Sequence, residues 1–387
     1  MRFSINIFIV LLIASLLILC KKEHNGGVAS VPCNIPNIEK TLIENSNQLG
    51  FDCFRRLSIA NSEDENLIIS PIGISLSLNS LLQASQNRTN SEIKNCLHLN
   101  NFNDSTIING YNHLNKLYSE IDNDSKIINT SKIAFSESFK FEPNFQNFYA
   151  KSNYVEIISD NNAGFIDNIN DNSSELNNGH FQMINSFNFD AKSKYQVRTE
   201  ESPFYKSPNQ SSFIQMIVSR SELNYYADQT VQAVELPLGR GNFNLLLILP
   251  QNSESINDLC NKMDVRILDR IKKKFKPMMI EVIMPKIELT EIKTMKEILK
   301  YNKIPSAFSD KIADFSKLSK HDRVYMNDFE HVINLSISSK ENEEIEASNA
   351  SPIIKKEGTL LIDHPYIFMI YEKYSEGILC IGKINNI

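Results

Sequence analysis

The sequence lacks the patterns that announce a metalloprotein, a hydrolase or a nucleic-acid binder. It contains no Cys-x-x-Cys pair and no Cys/His cluster with zinc spacing, so a metal site is not expected. No Gly-x-Ser-x-Gly elbow is present, and the seven histidines are scattered with no His-x-x-x-His pair. "LGRGNF" carries two glycines but lacks the third of a phosphate cradle, and it reads as a hairpin turn. No basic run exceeds "IKKKFK" at net charge −6, so no electrostatic stripe for nucleic acid is visible. No stretch is rich enough in Pro, Gly or Ser to divide the chain, there is no internal repeat, and tryptophan is absent. These absences argue against an enzyme and imply no cofactor.

The remaining composition is that of a globular protein, with 42% hydrophobic and 22% charged residues in 387. The N-terminus is a targeting segment. Arg2 precedes the apolar run "FIVLLIASLLIL", which is shorter than the span of about 20 residues that crosses a membrane. Cys20 follows, then a polar stretch. The layout resembles a bacterial lipoprotein signal with Cys20 as the lipid-bearing residue, although Leu19 stands where such signals place a small side chain. A plain signal peptide cut near this point is the competing reading. Both take the mature protein out of the cytoplasm, extracellular or anchored to a membrane. The expected organisation is 1–20 signal, 21–37 polar tether and 38–387 one domain. Without Cys20 five cysteines remain, so at least one is unpaired or pairs between chains. Cys96 and Cys380 lie in apolar patterns and are expected as buried thiols. An exported chain would also permit a Cys33–Cys53 disulfide.

Along the chain, "IEKTLIENSNQLGFDCFRRLSIAN" spaces Ile38, Leu42, Ile43, Leu49, Phe51, Phe54 and Leu57 as one face of a helix. "ENLIISP" is a short buried strand stopped by Pro71, and "IGISLSLNSLLQAS" is an interior helix. "NSEIKNCLHL" is a short helix, "KIAFSESFKFEPNFQNFYAKSN" a strand, turn and helix, and "HFQMINSFNF" a buried strand. From Phe213 the chain is mostly β: "SFIQMI", "ELNYYA", "QAVELPL" and "FNLLLILP" read as separate strands. "SINDLCNKMDVRILDRIKKKF" and "IKTMKEILKYN" each read as a helix, and "MIEVIMPKIEL" as strand broken near Pro285. This order predicts a single α+β domain.

One segment demands a function. Ser338 to Tyr366 is a long polar stretch between two apolar runs, whereas structureless loops beyond roughly 12–15 residues are uncommon unless they have a role.

Taken in order, the blocks from Ile38 onward resemble the serpin family. "ENLIISPIGISLSLNSLLQASQNRTNSEI", "QMINSFNF", "VQAVELPLGRGNFNLLLILP", "MIEVIMPKIEL", "AFSDKIADFSKLS", "DHPYIFMI" and "GILCIGKINN" each match a serpin segment. The resemblance implies three β-sheets, about eight or nine helices and an exposed reactive loop. It also implies a function. A target protease, serine or cysteine, cuts the loop; the loop's N-terminal half enters the main sheet as a new strand; the protease is trapped as an acyl-enzyme. The expected partner is that protease, bound by a monomer. Carried over by position, Ser338–Tyr366 is the reactive loop. The reactive bond falls at Ile354–Lys355 or at Lys355–Lys356, and a lysine donating it suits a trypsin-like protease. Ser70, Asn185 and His331 match the shutter group where the sheet parts. The alternative the family offers is a non-inhibitory binding or carrier protein.

Several positions depart from the family. Its hinge carries small residues, but here Glu341, Asn342, Glu343, Glu344, Ile345, Glu346 and Ala347 occupy it, and either register of insertion turns two glutamates inward. Ser193 stands where the family has tryptophan, and Gly73 where the shutter has a second serine. Asp160–Gly179 is short for the helix that crosses the sheet.

Overall fold

A computed structural model describes residues 30–32, 35–61, 65–135, 140–159, 180–193, 198–207, 209–252, 255–320, 324–338 and 358–387. Helix α1 (Asn37–Ala60) buries Leu42, Ile43, Leu49, Phe51, Phe54 and Leu57, the face its spacing predicts. Strand β1 (Leu67–Ile69) is fully buried and leads into α2 (Pro71–Ala84). Pro71 does more than stop the strand. It opens α2 at the position where a missing N–H costs nothing, and the Ser70 side chain caps the helix by accepting from the Gly73 N–H. Every residue of α2 except Gln83 is buried, so it runs through the interior. Helix α3 (Asn87–Cys96) begins earlier than its apolar pattern suggests. Helix α4 (Asp104–Glu120), capped by Asn103, has no counterpart in the predicted elements.

Among the described residues the strands form two sheets. The smaller has five strands in the order β10-β11-β4-β2-β3, from Ile287–Thr294, Tyr325–Ser338, His180–Lys192, Ser125–Phe135 and Val155–Ser159. Helix α5 (Pro143–Lys151) connects β2 to β3. The larger sheet has nine strands. Its path runs β1, β14 (Ile378–Ile384), β13 (Tyr366–Glu372), β8 (Phe243–Pro250), β7 (Val231–Leu238), β6 (Gln210–Ala227), β9 (Lys276–Pro285) and β12 (Thr359–Leu361), with β5 (Arg198–Ser207) added on β6. Three sheets were expected. The backbone unites two of them because β6 is long enough to pair with β5 over Gln210–Val218, with β9 over Met216–Tyr225 and with β7 over Asn224–Ala227.

The same strand corrects the sequence reading. "SFIQMI" and "ELNYYA" are one strand of 18 residues. The polar Ser219-Arg220-Ser221 step looks like a turn but stays paired, opposite Val282, Glu281 and Ile280. Strand β5 was not anticipated because Glu200, Glu201 and Pro203 break its alternation, which an edge strand tolerates. The single helix expected over Ser255–Phe275 is two, α6 (Ile256–Lys262) and α7 (Val265–Lys273). Asp264 leaves helical geometry between them and caps α7 through the Ile267 N–H at 2.8 Å. "IKT" belongs to β10, where Ile292 pairs with Val332 and Thr294 with Glu330, so α8 covers only Lys296–Tyr301. Pro285 ends β9 as predicted.

Among the described residues there are eight α-helices, and the fold is mixed α+β. Cys53 is a free thiol with no exposure, and its sulfur accepts from Asn302 Nδ2 at 3.2 Å; Cys33 lies outside the described residues. Cys380 is buried as expected, while Cys96 is only partly so.

Where α1 crosses α2, Gly50 lies against Pro71, and a Cβ there would overlap the proline ring. Such overpacking costs about 1–3 kcal/mol, against a gain of about 1 kcal/mol for alanine over glycine in a helix. Gly50→Ala is therefore expected to lower the urea unfolding midpoint, although alanine is the better helix former. An unchanged or higher midpoint would show that the α1–α2 contact has slack.

Candidate functional site

The five-stranded sheet has a seam at its centre. Strands β11 and β4 pair in parallel from Tyr325↔His180 to Ser338↔Lys192, while β10–β11 and β4–β2 on either side are antiparallel. Parallel pairing is slightly less stable per residue than antiparallel. The chain leaves β11 at Ser338 and is next described at Gly358, before β12 pairs with β9 on the other sheet. The connection thus begins at the seam and ends on a different sheet. The residues expected as the hinge, Glu341–Ala347, and those expected at the reactive bond, Ile354, Lys355 and Lys356, lie outside the described residues, as do Cys20 and Asp160–Gly179.

Beneath the seam the structure brings Ser70, Asn185 and His331 together, although Ser70 and His331 are 261 residues apart in sequence. The Ser70 N–H donates to His331 Nε2 at 2.8 Å, and the Gly73 N–H donates to Ser70 Oγ at 3.1 Å. One residue thereby starts α2 and ties it to β11. His331 sits opposite Asn185 across the seam. Asn185 Nδ2 donates to Asn129 Oδ1 at 3.0 Å and to the Thr130 carbonyl at 3.2 Å, which extends the cluster to β2. All three predicted side chains are buried to 1% exposure or less.

Gly73 fits this geometry. A Cβ at that position would stand 2.5 Å from Asn185 Oδ1 and 3.1 Å from Ser70 Oγ. Any larger residue must displace an amide already held by two hydrogen bonds. Sequence reading missed Asn129, since one asparagine among many carries no signal before the β2–β4 register is known.

Burial sets the chemistry of His331. It pushes the imidazole down to about 3 from an ordinary 6.5, because a low-dielectric site disfavours the cation. Nε2 accepts from the Ser70 N–H, so the ring proton resides on Nδ1. Among the described residues Nδ1 has no hydrogen-bond partner, and neither has Asn185 Oδ1. Protonating Nε2 would set two donors against each other. Next to it on β11, Glu330 is raised to about 7, by burial first and by the nearby Asp328 carboxylate second.

Beyond this central pair, the end of the seam at Ser338 is closed by a turn. Ser193 N–H donates to the Ser338 carbonyl at 2.9 Å, which locks the last residue of β11 to the residue after β4. Ser193 also bridges to Leu238, and the Gly239 N–H donates to the Lys192 carbonyl at 2.7 Å. Ser193, expected at the tryptophan position, contributes backbone bonds there.

The two titrating neighbours have opposite signs. The folded value of His331 lies below its unfolded value, so its contribution is complete above about pH 6.5 and falls away toward pH 3. The folded value of Glu330 lies above its unfolded 4.5, so its contribution is present below that pH and is lost as pH rises through 7. Between pH 4.5 and 6.5 the slopes oppose one another, each at most about 1.4 kcal/mol per pH unit. Glu330→Gln removes one of them. Relative to wild type, the variant is expected to lose stability steadily as pH falls through this window in urea titrations. Parallel curves would contradict the proposed balance.

Comparison with known proteins places this geometry. The serpin (serine protease inhibitor) family profile matches residues 44–387. Serpin B5 of Xenopus tropicalis is 22% identical over 365 residues, covering 87% of this chain and 95% of its own. The leukocyte elastase inhibitor of Xenopus laevis is 21% identical over 367 residues, covering 87% and 97%. The solved structure of human thyroxine-binding globulin superposes with TM-score 0.76 at 18% identity, covering 90% of this chain and 99% of its own. With a five-stranded sheet whose central strands are parallel neighbours, and a profile match over almost its whole length, the chain belongs to the serpin family, whose members act as protease inhibitors or binding proteins rather than as enzymes.

Proposed function

We propose that this serpin inhibits a serine endopeptidase by offering it the connection between Ser338 and Gly358 and inserting the cut loop into the five-stranded sheet. This connection is shorter than the expected Ser338–Tyr366 because Thr359–Leu361 pairs as β12. One observation carries the reading: β11 and β4 are parallel neighbours, and the loop starts at the end of β11. A chain that turns back at Ser338 and enters the seam runs antiparallel to both strands. One parallel ladder is thereby exchanged for two antiparallel ones. The closed sheet would then be the less stable arrangement, kept by a kinetic barrier. Lys355 and Lys356 favour a trypsin-like target. The leader and Cys20 favour an exported protein of bacterial type, with a lipid tether at Cys20 as the finer proposal.

A second reading rests on the hinge. Inward glutamates would each bury a carboxylate, at a cost of several kcal/mol when unpaired. Inhibition is a race between insertion and hydrolysis of the acyl-enzyme, and about 1.4 kcal/mol on the barrier changes a rate tenfold. Slow insertion leaves a substrate, or a binding protein of the kind the name thyroxine-binding globulin describes.

Incubation of the mature protein with trypsin followed by a denaturing gel separates the two readings. An adduct that survives SDS is the expected result. Clean cleavage with no rise in thermal stability would sink insertion. Replacing Glu343, Glu344 and Glu346 by alanine should stabilise the cleaved form by several kcal/mol if inward charge is the obstacle. If the variant and wild-type cleaved forms melt together, the glutamates do not face inward.

A further inference from the structure

Ser30 and Val31 precede α1, yet they are bonded to the body of the protein. The Val31 N–H donates to Asn242 Oδ1 at 3.0 Å, and Asn242 Nδ2 donates to the Val31 carbonyl at 2.8 Å. One primary amide thus satisfies both backbone groups of one residue, as a neighbouring strand would. Ser30 Oγ lies 2.7 Å from Tyr374 Oη. The Val31 side chain is 53% exposed, so polar bonds and not apolar burial hold the segment. Asn242 itself has no exposure, and its carbonyl accepts from the Lys373 N–H at 2.8 Å. The clamp is built on a fixed support.

Asn242 closes the turn between β7 and β8, and the same turn closes the end of the seam. Gly239 within it donates to Lys192, and Leu238 bridges Ser193, which donates to Ser338. The turn has little slack. Gly239 has φ +57°, and a Cβ on it would stand 2.5 Å from Ser125 Oγ and 2.6 Å from Asp122 Oδ2. The Arg240 N–H donates to the same Asp122 oxygen at 2.8 Å. A continuous set of hydrogen bonds and one rigid turn therefore joins Val31 to the residue from which the reactive loop departs.

We propose that the N-terminal segment is a brace on the seam: docked through Val31 on Asn242, it holds the Leu238–Asn242 turn and with it the paired ends of β4 and β11. The binding site on the body is Asn242 with Tyr374, and its ligand is the chain's own backbone at residues 30–31. A pull or a cut on the tether would release the brace at the point where the loop would enter. That last consequence rests on the insertion reading, whereas the brace does not.

The test uses the full chain. Val31→Pro removes the N–H that Asn242 Oδ1 accepts, and it lies outside every helix and strand. Val31→Ala keeps that N–H and serves as the control. Native-state hydrogen exchange is followed in peptides containing Ser193 and Gly239, whose amides close the seam. The loss of one net hydrogen bond predicts roughly 2- to 12-fold faster exchange at both in Val31→Pro, with Val31→Ala unchanged. Unchanged exchange at Ser193 and Gly239 in Val31→Pro would overturn the brace. Thermal stability after trypsin cleavage is measured in parallel, so the two proposals can fail separately. Coupled exchange without a more stable cleaved form leaves the brace standing and removes insertion. A stabilised cleaved form without coupled exchange does the reverse.

Discussion

The buried hydrogen bond from the Ser70 N–H to His331 Nε2 is the contact on which the rest of this architecture depends. It joins the start of the interior helix α2 to β11, one wall of the seam, and it requires a neutral imidazole. Burial supplies that condition by making the cation costly. Asn185 reaches from the other wall toward β2, and Gly73 leaves the room that its amide occupies. Beneath the sheet these few short polar side chains sit within the larger apolar core that Phe187, Phe189, Ile333 and Leu335 share with Ile74 and Leu76 of α2. A buried polar cluster of this kind is firm while every role is filled and costly when one changes.

The seam has a second fastening at the end where the reactive loop departs. There the bonds are between backbone groups: Ser193 to Ser338, and Gly239 to Lys192. The turn that supplies Gly239 also receives the N-terminal segment through Asn242. The middle of the seam therefore depends on protonation state, and its loop end on backbone geometry and on the docking of residues 30–31. The parallel ladder between them is the weaker kind of pairing, and a strand returning from Ser338 would suit both walls better. In the proposed insertion, the glutamates of the expected hinge would oppose that exchange, because an inserted strand turns alternate residues into a dry interior.

Much of this was legible in the residues themselves. The spacing of Leu42, Ile43, Leu49, Phe54 and Leu57 marks the buried face of α1, and Ser70-Pro71 marks both the end of β1 and the start of α2. Local signals misled where tertiary pairing overrode them. Ser219-Arg220-Ser221 looks like a turn and is mid-strand, since Arg220 has Glu281 opposite it. Ile292 to Thr294 looks helical and is strand, since β11 pairs with it. The break at Asp264 was readable in principle, because aspartate three residues before an apolar helix position is a capping signal.

The sequence by itself determined most of the order of helices and strands, the family, and the presence of a long acidic stretch between two apolar runs. These follow from periodicity, turn chemistry and motif order, all of which are local. Only the tertiary structure decided that β11 lies parallel to β4, that His331 accepts from Ser70 as a neutral ring, that Asn129 supports Asn185, and that Asn242 clamps Val31. Each of these joins residues far apart in the chain. Register, burial and the resulting protonation state exist only once distant segments have packed, so no local pattern encodes them.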